Sequence, residues 1–311
     1  MSGTNAYLKI NRGETALMLC AGIYILLALS SSFYGSIDAA DESVYIISAI
    51  VELAVIALPS ALYFSIRSLC SRSHSQIPDL SLRGIERDKI FFTVISSLAL
   101  ITGATAINAV LARLGAGTSG DVIDIGGGGA DDVWLRILTL AAIPAFSEEL
   151  LCRGLLMSEL RSLGSIRALI ISSLCFAMLH FNLARLPLYL LCGFILGGVM
   201  LITRSLAATI TAHFAFNLFS ILSGELLRTL SEQIGDMLML FFISAGLFIV
   251  CAIFIFREIT RIFAAYAKHP ENAPPPFAHE GVTPPRYSLF GAITPPLVLC
   301  VILYTVFSIF I

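Results

Sequence analysis

Long apolar runs separated by short polar stretches set the pattern of this chain. They fall at about residues 15–33, 43–66, 90–112, 134–158, 166–182, 186–203, 205–222, 237–256 and 288–310. Most approach the roughly 20 residues that a helix, rising about 1.5 Å per residue, needs to cross about 30 Å of hydrocarbon. Each run is predicted to be a helix, because an isolated strand in lipid would leave its backbone N–H and C=O groups unpaired. The pattern predicts an all-α fold, a polytopic transmembrane helical bundle of about 8–9 spans. The run at 205–222 is the weakest by hydropathy, being short and interrupted by His213 and Asn217.

Composition agrees with that reading. Hydrophobic residues make up 57% of the 311 positions and charged residues 13%, with a mean hydropathy of +0.90. A soluble domain carries about 25% charged residues, and no stretch outside the runs is long enough to bury a core of its own. The net charge of −2 says nothing about partners; no nucleic-acid partner is expected of a membrane protein of this kind. The seven cysteines, Cys20, Cys70, Cys152, Cys175, Cys192, Cys251 and Cys300, form no CxxC pair. An odd, scattered set placed mostly in apolar runs reads as packing residues, not as a disulfide framework or structural zinc site. The first run begins after Glu14 and is long enough to span, so a cleaved signal is not expected.

Basic residues set the expected orientation. With a cytoplasmic N-terminus, Arg67, Arg72, Arg83, Arg87 and Lys89 share one inner loop, and Arg161, Arg167, Arg204, Arg257, Arg261, Lys268 and Arg286 lie on the same side. Of the 19 Lys and Arg, only Arg113, Arg136, Arg185 and Arg228 fall outside, where Asp38, Asp41, Glu42, Asp121, Asp124, Asp131 and Asp132 collect. This asymmetry predicts an N-in, C-out topology in a bacterial cytoplasmic membrane. Two loops differ in composition. Residues 115–133 contain Gly126, Gly127, Gly128 and Gly129, a flexible linker without the GK[ST] context of a phosphate loop. Residues 270–285 hold Pro270, Pro274, Pro275, Pro276, Pro284 and Pro285 and read as an extended cytoplasmic loop.

Ionisable groups within spans are costly and mark function. Span four reads Ala141 to Arg153 with Glu148 and Glu149 adjacent. The i,i+4 spacing puts Glu149 and Arg153 on one face, where they can pair as a clamp, and rotates Glu148 by about 100° to face something else. Pro144 is expected to disturb the helix just ahead of the acidic pair. Span five carries Phe176-x-x-x-His180, and span seven carries His213-x-x-x-Asn217 with both polar groups on one face. Mutual pairing or water is what makes such groups tolerable, so the three helices are expected to converge. Small residues favour close approach: Ala141, Ala142 and Ala145 in span four, Ser172, Ser173 and Ala177 in span five, and Gly193 and Gly197 in span six. Singly, each polar residue has a plainer reading as a helix-packing hydrogen bonder. Together, a carboxylate, two imidazoles and an amide supply a base, water-positioning donors and an oxyanion donor.

Glu148-Glu149-x-x-x-Arg153, Phe176-x-x-x-His180 and His213-x-x-x-Asn217, in that order and each within an apolar run, resemble the three motifs of the CPBP family of CAAX-processing and bacteriocin-processing intramembrane proteases, or Abi proteins. That family includes the type II CAAX prenyl endopeptidases. The resemblance covers roughly 134–222 and divides the chain into three regions. These are N-terminal spans with the glycine-rich loop (1–133), a catalytic core (134–222), and C-terminal spans with the proline-rich loop (223–311). It implies that Glu148 activates water, His180 positions it, His213 and Asn217 stabilise the oxyanion, and Glu149 with Arg153 orients the site. Peptide hydrolysis requires just such a base and donors. The implied substrate is a membrane-associated protein or peptide, prenylated or not, and the bilayer is the other partner. Metal use stays open. Glu148, His180 and His213 could hold zinc with one position for water, but no HExxH is present, and a metal-free glutamate mechanism is the reading taken.

Two other classes fit parts of the pattern. An ion- or proton-coupled transporter could use the same buried Glu and His residues, although no inverted repeat is evident. A non-catalytic scaffold would not need the full polar set. The expected topology also places Glu148 near mid-membrane and His180 towards the outer side, whereas prenylated C-termini are cytoplasmic. A tilted or broken span five, shifted boundaries, or a substrate without a prenyl group would each reconcile the two.

Overall fold

The computed structural model of the protein describes residues 2–34, 43–70, 80–115, 133–234, 237–268 and 293–310. The glycine-rich and proline-rich loops lie outside these residues, apart from the ends of the first. Among the described residues every predicted run is helical and none is a strand. The helices are α1 (Ser2–Tyr34), α2 (Ser43–Cys70), α3 (Ile90–Arg113), α4 (133–160), α5 (Ser165–Met178), α6 (Leu186–Thr203), α7 (Leu206–Ile234), α8 (Met237–Lys268) and α9 (Pro295–Phe310). Six segments are long and apolar enough to cross a membrane: Arg12–Ser31, Ser43–Cys70, Arg87–Arg113, Leu186–Thr203, Leu206–Ser223 and Met237–Lys268. Helices α5 and α9 are apolar but shorter. The protein is an integral membrane protein with an all-α fold.

Local chemistry explains where these helices start, stop and loosen. Pro187 in the first turn of α6 and the Pro295-Pro296 start of α9 use positions that need no donor. Helix α6 ends where Arg204 turns left-handed at φ 54°. Ser205 then starts α7, accepting from the Ala208 N–H at 3.2 Å and donating to the Arg83 carbonyl at 2.6 Å. Two helices contain π turns directly ahead of a proline. In α2 the Leu58 N–H bonds to the Leu53 carbonyl before Pro59, and in α4 the Ile143 N–H bonds to the Leu138 carbonyl before Pro144. A proline lacks a donor and crowds the carbonyl four residues back, and widening the preceding turn makes room for it. The disturbance expected at Pro144 takes this form. A third π turn, Leu150–Leu156, follows the acidic pair.

Span five differs from expectation. The helix stops at Met178 instead of running to 182, because Phe181 adopts a left-handed φ of 43° and the preceding N–H groups close tighter turns. His180 therefore sits in the turn after α5. Helix α8 runs past the apolar stretch to Lys268, its polar end supported by an Arg261–Glu258 pair at i,i+3.

The described residues pack into two compact units. One falls within Met1–Leu82, Phe146–Leu183 and Pro275–Ile311. In it α1 packs on α9, α2 and the second part of α4, and α5 packs on α4 and α9. The other falls within Arg83–Ala145 and Ala184–Pro274. There α3 packs on α6, α7 and α8, and α7 also meets residues 137–142. Gly103 on α3 permits a close approach, since a Cβ there would lie 2.7 Å from Leu191 Cδ2 and 3.0 Å from the Phe248 ring.

Candidate active site

The first unit builds its polar site on α4. Ser147, Glu148, Glu149 and Arg153 are all buried, with Glu148 6% exposed and Glu149 and Arg153 fully enclosed. Arg153 Nη1 donates to Glu149 Oε1 at 2.7 Å, one helical turn apart. The guanidinium also lies 4.6 Å from the centroid of the Phe176 ring on α5, a cation–π contact that ties the two helices. Ser172 Oγ on α5 donates to the Cys152 carbonyl at 2.7 Å. The small residues Ala145, Ser172, Ser173 and Ala177 are buried, which lets these backbones come close.

Glu148 stands apart from this clamp. It makes no ion pair among the described residues, and its Oε2, like that of Glu149, is buried without a hydrogen-bond partner. The charged groups that bear on it are Glu52, Glu149 and Arg153. A carboxylate in such surroundings keeps an oxygen available for an incoming proton instead of spending it on structure.

His180 follows on from α5. Its Nδ1 lies 3.2 Å from the Phe176 carbonyl and its ring packs at 5.4 Å from the Phe176 ring. The neighbouring Phe181 is edge-on to Tyr24 and Phe307 and stacks on Tyr304. Tyr24 in turn donates to the Cys175 carbonyl at 2.8 Å. This aromatic set from α1 and α9 holds the turn that presents His180. Phe176 thus touches both Arg153 and His180.

His213 and Asn217 belong to the second unit, on α7. His213 is 4% exposed and Asn217 is half-buried. Among the described residues no group of three or more His, Cys, Asp or Glu side chains is gathered as a metal's ligands would be.

Two residues of the site escaped the sequence reading. Glu52, in the middle of the second predicted span, opens the π turn of α2, and its Oε2 accepts from Ser147 Oγ at 2.7 Å. A lone acid in an apolar run was the available signal for Glu52. Nothing in the local pattern links it to Ser147, 95 positions away.

The class of protein defined so far is a helical membrane protein that buries an acidic pair, an arginine and one imidazole, that of His213, within its helices. Residues 130–219 match the family model described as type II CAAX prenyl endopeptidase Rce1-like, a protease family. The matched segment, less than a third of the chain, contains Glu148, Glu149, Arg153, His180, His213 and Asn217. No curated protein and no solved structure matches the chain.

Proposed function

We propose that this protein is an intramembrane endopeptidase in which Glu148 activates water to hydrolyse a peptide bond of a membrane-associated protein or peptide. The observation that carries the proposal is the division of labour in the acidic pair. Glu149 is paired with Arg153, whereas the neighbouring Glu148 makes no ion pair among the described residues; the Oε2 of each is buried without a hydrogen-bond partner.

In the proposed reaction Glu148 takes a proton from water as the water oxygen bonds to the scissile carbonyl carbon. The carbon–nitrogen bond then breaks, and the proton passes from Glu148 to the departing amine. On the resemblance of the matched segment, His180 orients the water and His213 and Asn217 donate to the developing oxyanion. Glu149, Arg153 and Phe176 keep α4 and α5 in register. No step is routed through a metal.

The type II CAAX likeness makes a farnesylated peptide ending in a CaaX sequence the first substrate to offer. Full-length protein in liposomes, incubated with that peptide and its unprenylated counterpart, is expected to release the C-terminal tripeptide by mass spectrometry only from the farnesylated form. Release from both widens the substrate class to membrane peptides in general. Release from neither removes the prenyl assignment. Carboxylates buried within spans also suit a proton-coupled transporter. A proton flux across those liposomes that is lost in Glu148→Gln, with no proteolysis, would favour that second reading.

A further inference from the structure

Three arginines meet at one end of the first unit. The apolar span of α1 begins at Arg12, Arg67 lies three residues from the end of α2, and Arg161 follows the last residue of α4. The helix ends touch one another. A Cβ on Gly13 would lie 3.0 Å from Leu160 Cδ2 and 3.8 Å from the Glu159 carbonyl oxygen, so the start of α1 runs against the end of α4. Arg67 Nε donates to Glu159 Oε1 at 3.2 Å, which joins α2 to the same place. Arg67, Glu159 and Arg161 all bear on Arg12, with Tyr63 of α2 beside them.

The charges of this group do not balance. Three guanidinium groups, Arg12, Arg67 and Arg161, share the one carboxylate of Glu159, which leaves two positive charges in excess. Glu14 does not redress this, because a residue two positions from Arg12 lies on a different face of α1. The Glu159 side chain is only 5% exposed, the Arg67 side chain 21%, and Arg12 and Arg161 are half-buried. The carboxylate is therefore the enclosed hub, and the arginines form a rim that an outside anion can reach. An orientation signal alone needs basic residues on one side of the membrane, not packed together. Gathering like charges costs energy that an anion between them offsets. Guanidinium forks match the oxygens of a phosphate. At the ends of membrane helices the phosphates at hand are those of lipid headgroups, and basic pockets between such helices hold them.

We propose that Arg12, Arg67 and Arg161 form a site for the phosphate of an anionic phospholipid headgroup, in the leaflet at this end of the first unit. Arg12 and Arg161 grip the phosphate, while Glu159 holds Arg67 and keeps the three helix ends together. The excess of positive charge selects a headgroup of net negative charge over a zwitterionic one. The site makes no use of Glu148 and is independent of the peptidase reading.

Native mass spectrometry of the full-length protein, released from detergent micelles, tests this by titration with phosphatidylglycerol, phosphatidylcholine or inorganic phosphate. Wild type is expected to hold phosphatidylglycerol more tightly than either of the others. Arg12→Gln with Arg161→Gln should weaken that binding by about 30-fold, the share that two interfacial arginines supply. The affinity for phosphatidylcholine should barely change. Lysine at both positions should recover part of the loss, since it keeps the charge but not the fork. Equal phosphatidylglycerol affinity in wild type and the glutamine variant overturns the proposal, as does phosphatidylcholine bound equally tightly. Inorganic phosphate bound as tightly as the lipid, and lost in the same variant, would make this a free-phosphate site and overturn the lipid assignment. The glutamine variant keeps the Arg67–Glu159 pair, and an unfolding midpoint in lipid-free micelles matching wild type shows that it is folded. Should it not fold, Arg161→Gln alone gives the same comparison, with an expected loss of about fivefold.

Discussion

Arg153 donates to Glu149 at 2.7 Å with both side chains fully enclosed, and the same guanidinium covers the Phe176 ring two residues short of the end of α5. Removing one partner of such a pair strands a buried charge. Arg153→Ala is expected to destabilise the protein by about 3–5 kcal/mol. Arg153→Lys should recover only part of that, since an ammonium replaces a flat, stacked fork. Thermal unfolding in detergent micelles measures both. An Arg153→Ala midpoint equal to that of wild type would show that the pair is not the clamp.

Glu148 should behave in the opposite way. Its Oε2 makes no hydrogen bond among the described residues, so Glu148→Gln strands no partner there and should alter stability by no more than about 1 kcal/mol. The rate on a cleaved substrate should fall by about 10²–10⁴-fold, the share a general base supplies. The same unfolding assay and a peptide-release assay on one preparation separate the two effects.

In the second unit Gly103 faces Leu191 Cδ2 and the Phe248 ring at 2.7–3.0 Å from where a Cβ would sit. Gly103→Ala needs only the tip of a leucine and one ring to give way, and its cost should be about 1 kcal/mol. Gly103→Val adds branches with nowhere to go and should cost about 1–3 kcal/mol. Equal unfolding midpoints for the glycine and valine forms would contradict this close approach of α3.

The N-in orientation has a direct probe. Cys70, at the end of α2, is exposed, whereas the other six cysteines are buried. On the charge bias, Cys70 is expected on the cytoplasmic side. A membrane-impermeant thiol reagent is expected to label inside-out vesicles and not intact cells, with the labelling lost in Cys70→Ser. Labelling of intact cells would invert the topology.

Much of the fold was legible because a bilayer permits few choices. Apolar runs near 20 residues must be helices, and each predicted run is helical among the described residues. The ends were less so. Span five stops early because Phe181 turns left-handed, and α8 outlasts its apolar stretch because Arg261 and Glu258 stabilise a polar end. Periodicity alone placed Glu149 beside Arg153. It could not reveal Ser147 meeting Glu52, because contacts between distant helices leave no trace in local spacing. Nor did the pattern show that Pro59 and Pro144 each follow a π turn in the helices that carry Glu52 and Glu148.

The most direct measurement compares new protein N-termini and C-termini in membranes that carry wild type or Glu148→Ala at matched expression. Hydrolysis by Glu148-activated water predicts a set of membrane-protein fragments present with wild type and absent with the substitution, and their ends would name the substrate and the side of cleavage. Identical fragment sets from the two membranes would contradict the peptidase account.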